Sequence, residues 1–271
     1  MSFTIGFSAT SENTPKNKDT DLSLKKADGA LPKKSVVDVY FPERDLTCSY
    51  YNEKFDLKCG DIVFVDGKLE GKQGRVVAVN YNFKIKISDY KQVTGVADTD
   101  VKGKFYCVNS ELITTDRNAL PYEKIITWFK ALDPEEYVYN TDGTGFSLDD
   151  LSGMNITKQA AERGNDYYIN GDVVYTEVSD GKGRAIVMGS KPYEVEFKIS
   201  AREIKSIVCS CYCSGACKHE FASMLQLTEL LDILENKLPD TEDEKYFAAV
   251  NMPLFFRYAV NGKSSGSLTF G

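Results

Sequence analysis

From Ser35 onward the chain reads as short runs rich in Val, Ile, Tyr and Phe: SVVDVYF, LTCSYY, GDIVFV, GRVVAVNYNFKIKI and FYCVN, broken by Gly and Asp. Alternation puts successive side chains on opposite faces of a strand, so these runs predict β-structure. Several of them separated by turns predict a small barrel or sandwich over residues 35–120. Asp66-Gly67 ends one run, and Gly71 and Gly74 bracket the connection to the next. In PYEKIITWFKALDPEEY, Ile125, Trp128, Phe129 and Leu132 form the stripe of a short amphipathic helix, with Pro121 in its first turn and Pro134 ending it. Trp128, the only tryptophan, reads as a core anchor joining modules.

A link rich in Gly and Asp, YNTDGTGFSLDDLSG, leads to a second block. A helix-like piece, ITKQAAERG, opens it. The run NDYYINGDVVYTEVSDGKGRAIVMGSKPYEVEFKISAREIKSIVCSC then predicts alternating strands with turns at Asn170-Gly171, Asp180-Gly181 and Gly189-Ser190. Past His219 the period changes: Phe221, Met224, Leu225, Leu227, Leu231 and Leu234 lie on helical spacings up to Lys237, and Pro239 closes the run. The reading is an α+β chain in five parts. Residues 1–34 form a disordered tail, 35–120 a β-barrel-like domain, and 121–150 a short helix and linker. Residues 151–238 form a β-hairpin and helix module, and 239–271 a C-terminal segment.

Composition refines this picture. With 42% hydrophobic and 27% charged residues the chain folds around real cores, and 271 residues suit two modules. Residues 10–34 hold few large apolar side chains, too few to offset their ordering entropy. No apolar run approaches the roughly 20 residues of a membrane helix, and the first residues lack the pattern of a signal peptide, so the expected location is cytoplasmic. Thiols stay reduced there, which makes clustered cysteines metal ligands or catalytic groups. A net charge of −7 argues against nonspecific coating of nucleic acid. A local basic face is carried by Lys182, Arg184, Arg202 and Lys205, which are the candidate nucleic-acid contacts; solvated faces of mixed sign are the plainer reading.

The chemistry concentrates in CSCYCSGACKH, from Cys209 to His219, which holds four of the seven cysteines and the sole histidine. Zinc takes thiolate and imidazole ligands in a tetrahedron. Cys209 and Cys211 supply one pair and Cys217 with His219 the other, leaving Cys213 over. With Cys213 in place of Cys209, only Ser214, Gly215 and Ala216 would remain to reverse the chain. An iron–sulfur cluster uses the same ligand types, and a nucleophilic cysteine with His219 as its base is a further alternative. Four protein ligands leave no open position for an activated water, and no GxxxxGK[ST] or HExxH motif accompanies them.

Cys209-x-Cys211, five residues, Cys217-x-His219 and a helix beginning EFASML resemble the SWIM zinc finger, whose pattern is CxC, a spacer, CxH and an apolar helix. AAERGNDYYINGDVVYTEV, AIVMGSKPYEVEF and IKSIVCSC resemble its hairpins, and Cys213 is a departure from the pattern. The stretch Gly60 to Val79 resembles the KOW motif of ribosomal and transcription-elongation proteins, an SH3-like strand, turn and strand. The SWIM resemblance implies Zn²⁺ held by Cys209, Cys211, Cys217 and His219, in a module that binds DNA or proteins, as in Swi/Snf-type helicases. The KOW resemblance implies a contact surface for RNA or protein. The expected function is that of a noncatalytic zinc-binding interaction protein. Its partner is a protein, such as a helicase or another member of a DNA-associated complex, or nucleic acid. A thiol-based redox sensor and a metal-dependent enzyme are the alternatives.

Overall fold

The computed structural model describes residues 34–131, 145–238 and 245–260, and the backbone of two further strands at 3–8 and 265–270. Most of the expected tail, together with Leu132, Pro134, Pro239 and the acidic residues Glu242, Asp243 and Glu244, lies outside the described residues. Among the described residues no helix is long and apolar enough to cross a membrane. The chain is mixed α and β, built mostly of strands in two sheets.

Strand β1 (Phe3–Ser8) belongs to the larger sheet. The smaller sheet contains β2 (Ser35–Phe41), β3 (Leu46–Asn52), β4 (Ile62–Val65), β5 (Gln73–Asn80) and β6 (Val93–Val96), in the antiparallel order β3-β2-β5-β4-β6. Strand β2 is half-buried by alternation: Val37, Val39 and Phe41 join Val63, Val65 and Val76 in one core. Gly74 lets β5 approach β2, because a Cβ there would stand 2.2 Å from Val39 Cγ1. The strand pattern predicts a barrel, but among the described residues the sheet is open. One backbone bridge, Tyr51 to Gln92, links β3 to the chain entering β6. With only four residues each, β4 and β6 are too short to carry a closing ladder around to β3.

The larger sheet adds β7 (Lys104–Val108), β8 (Glu111–Thr114), β9 (Phe146–Ser147), β10 (Val173–Ser179), β11 (Lys182–Met188), β12 (Pro192–Ser200), β13 (Glu203–Cys209), β14 (Tyr246–Asn251) and β15 (Ser265–Phe270). Its order is β1-β15-β7-β8-β14-β10-β11-β12-β13-β9, antiparallel except where β15 meets β7. The segment 35–120 thus supplies strands to both sheets. The turn at Asp180-Gly181 joins β10 to β11 with φ of 50° and 77°. Strand β11 carries an unbroken apolar run because it is covered on both faces. Ile186 packs into one core, and Ala185 and Val187 into the other.

The first core holds α1 (Tyr122–Ile125), the 3-10 turn Ile126–Trp128 and α4 (Met252–Phe255), which is not the longer helix read over 121–137. Trp128 is fully buried and stacks on Tyr258, centroids 4.9 Å apart. Its Nε1 donates to the Asp98 carbonyl at 2.7 Å, and the Gln73 amide of β5 donates to the Trp128 carbonyl and the Tyr258 hydroxyl. The tryptophan therefore ties the small sheet to the large one.

The second core lies beneath α2 (Lys158–Ile169) and α3 (Lys218–Lys237). Thr157 caps α2 by accepting from the Ala160 amide at 3.3 Å. The residues NDYYI, read as the start of the strand run, are helical. Tyr167 and Tyr168 pack against the second core from α2, and the Tyr168 hydroxyl donates to Glu229 at 2.9 Å. Gly164 is where α2 meets the start of α3, since a Cβ there would lie 2.8 Å from the Lys218 carbonyl. Helix α3 lies across β10 to β13 on Ala222, Leu227, Leu230 and Ile233.

Candidate metal centre

Cys209 is the last residue of β13, and alternation turns it inward on the same side as Ile207. The chain then bends through Ser210–Ala216 and enters α3 with Cys217 as the N-cap. The Cys217 sulfur accepts from the Glu220 amide at 3.4 Å, while the Glu220 carboxylate accepts from the Cys217 amide at 2.8 Å. This is a capping box with a cysteine in the place usually taken by serine or threonine. The cap fixes the first helical turn, and His219 stands in it.

The ligand atoms of Cys209, Cys211, Cys217 and His219 all lie within 4.8 Å of one another. His219 Nδ1 is 3.7 Å from the Cys209 sulfur and 3.8 Å from the Cys217 sulfur. Metal bonds near 2.3 Å to sulfur and 2.0 Å to nitrogen make the edges of a tetrahedron about 3.5–3.8 Å long. The cluster is within a side-chain adjustment of that figure, so these four residues could hold a metal ion. Cys209, Cys217 and His219 are only 8%, 2% and 3% exposed, and Cys211 is half-buried.

The sulfurs are crowded enough to compete for protons. Hydrogen bonds from Cys209 and Cys217 push the Cys211 thiol down. Cys209 is pushed up by its bond to Cys211, and Cys217 by its bonds to Cys209 and Cys211. One negative charge is easily shared among the three. A second and third would set like charges side by side in a buried site, an arrangement that a bound cation offsets.

Around the cluster, the His219 ring stacks on Tyr193 of β12 at 4.0 Å and meets the edge of Tyr167 of α2 at 5.5 Å. This sandwich holds Nδ1 toward the sulfurs. The opposite nitrogen, Nε2, is buried with no hydrogen-bond partner among the described residues. Lys218 donates to the Tyr167 hydroxyl at 2.8 Å. Cys213 is exposed and stands outside the group of four. Glu220, Tyr193 and Tyr167 escape a reading of the sequence alone. Only Glu220 leaves a trace there, the capping-box spacing from Cys217, hidden by the unusual cap residue.

The four candidate nucleic-acid contacts are spread over the sheet. Lys182 and Lys205 are exposed on β11 and β13. Arg184 pairs with Glu123 at 2.9 Å and Glu196 at 3.3 Å, and lies 4.6 Å from the centre of the Tyr122 ring. Arg202, in the turn that precedes β13, pairs with Asp149, Asp232 and Glu235 at 2.7, 3.0 and 3.4 Å. The two arginines are thus held by carboxylates of the chain itself.

A scan against protein-family models, a search of curated proteins and a search of solved structures each return no match.

Proposed function

We propose that the protein is a zinc-binding, noncatalytic interaction protein, in which a Cys3His site clamps the end of β13 to the start of α3. The observation that carries this reading is the convergence of four donor atoms within 4.8 Å at the handover from sheet to helix. Three thiolates and one imidazole form a set that suits zinc, and four protein ligands make a closed, structural site with no position for substrate. The order of ligands and the apolar helix after them support kinship with SWIM fingers. Strands β4 and β5, with Gly71 at φ 73° between them, support a KOW-like, SH3-like contact module in the small sheet.

The partner in this reading is a cytoplasmic protein, such as a helicase or another DNA-associated factor. Nucleic acid is secondary because Arg184 and Arg202 are already paired within the chain. Elemental analysis of reductively purified protein tests the metal: about one zinc per chain is expected, and none would overturn the reading. Capture of partners from lysate with and without nuclease tests the second half, since a protein partner survives digestion and a nucleic-acid tether does not.

The exposed Cys213, two residues from Cys211 in the same loop, favours thiol-based redox sensing as the second reading. Mild peroxide would then release zinc in the wild type and not in Cys213→Ser. Retention of zinc by both would remove it.

A further inference from the structure

Three clefts on the molecule each have at least two carboxylates in their walls. A fourth, of about 540 Å³, lies between α2 and the ligand loop and has none. In a chain of net charge −7 this is a local reversal of sign. Arg163 and Lys218 line it, and Arg163 is exposed and makes no ion pair among the described residues. At its edge stands Tyr212, whose residue is 98% exposed. Lys191 lines one of the other clefts, but its ammonium lies 5.8 Å from the Tyr212 ring and 5.9 Å from the Tyr193 ring, also without a carboxylate at ion-pair distance among the described residues.

We propose that this cleft binds a nucleoside phosphate, with the base on Tyr212 and the phosphate between Arg163 and Lys191. An exposed aromatic ring beside flexible cations is the combination that bases and phosphates require, since stacking is tolerant of base identity and the cations neutralise the phosphate. A volume of about 540 Å³ is within the range of small-ligand sites. His219 forms part of the wall, and its Nε2 is buried with no hydrogen-bond partner among the described residues. Three thiolates around a divalent ion would carry a formal charge of about −1, which Lys218 offsets, leaving Arg163 and Lys191 for the ligand. The ligand is either a free nucleotide or one unit of a single-stranded nucleic acid. The proposal rests on the metal reading in one respect: the loop bearing Tyr212 lies between metal ligands, Cys211 and Cys217.

The test uses the full chain purified under reducing conditions, with zinc measured on every sample. A short labelled oligothymidylate is titrated in low salt, AMP is titrated alone and as its competitor, and a polyglutamate of similar length serves as the acidic polypeptide. Binding of the oligonucleotide or of AMP is expected. Displacement by AMP would point to a single nucleotide as sufficient, and its failure to displace would point to the polymer. Tyr212→Ala should weaken binding about tenfold, the loss of one stacked base. Tyr212→Phe should restore it, and zinc content should not change. Arg163→Glu should reduce the salt dependence of oligonucleotide binding by about one phosphate contact. No binding of either probe, binding indifferent to Tyr212→Ala and Arg163→Glu, or polyglutamate binding with the same dependence on Tyr212 would each overturn the proposal. Zinc present without nucleotide binding removes this inference alone. Nucleotide binding dependent on Tyr212 in a zinc-free chain removes the metal reading alone.

Discussion

Replacing Glu111 by glutamine should stabilise the protein, and by an amount that grows with pH. Glu111 opens β8 and is 7% exposed, paired in register with Asn251. Glu229 of α3 faces it, its own carboxylate accepting from the Asn109 amide at 3.1 Å and the Tyr168 hydroxyl at 2.9 Å. Burial, and secondarily the Glu229 charge, push the Glu111 carboxyl up from the ordinary 4.5 to about 8. The folded state thus holds this proton more tightly than the unfolded chain does. Its contribution to stability is complete below the ordinary value and is lost as pH rises through about 8. At about 1.4 kcal/mol per pH unit, the loss accumulated by pH 7 is on the order of 3 kcal/mol. Glutamine keeps the shape and removes the titration. Urea or thermal unfolding should show the Glu111→Gln variant close to wild type at pH 5. At pH 7 it should be more stable by on the order of 5–10 °C in Tm. An equal shift at both pH values, or destabilisation at pH 8, would refute the argument that the cost being removed is that of keeping the buried carboxyl protonated.

Cys217→Ser should remove a candidate metal ligand while leaving α3 capped, since serine is a customary N-cap, so any fall in Tm should track the loss of bound metal, whereas Cys213→Ser should change neither. Gly164→Ala should cost about 1–3 kcal/mol despite the better helix propensity of alanine, because the new methyl meets the Lys218 carbonyl. Unfolding curves check the cost, and weaker metal retention would show that the first turn of α3 has been displaced. Arg202→Glu should lower Tm by setting a fourth carboxylate among Asp149, Asp232 and Glu235. A variant as stable as wild type would show that the pairs are screened into insignificance.

Much of the candidate site was readable because its signals are local. The ligands occupy eleven consecutive residues, and the change of period at His219 marks the passage from strand to helix before any coordinates are known. The turn at Asp180-Gly181 was equally legible, since its residues tolerate the positive φ a tight hairpin needs. Distant partners were not. Nothing in the local pattern says that β14 lies between β8 and β10, or that Tyr193 supplies the face on which His219 stacks. The aromatic residues of NDYYI suit a strand as well as a helix. The neighbouring α3 decides between them, with Gly164 allowing the close approach and Tyr168 reaching Glu229. The barrel expected from the first strands depends on whether edge strands meet, and β6 is too brief to show that in its composition.

The position of β14 also sets an order of assembly. Its residues, Tyr246–Asn251, fill the gap between β8, from Glu111–Thr114, and β10, from Val173–Ser179. On a ribosome, β10 to β13 and the cysteine loop would emerge while that gap was still open, so the ligands could gather before the sheet was continuous. Until translation delivers the missing strand, β8 and β10 would each present a bare edge, the kind of surface that chaperones cover and that neighbouring nascent chains can capture.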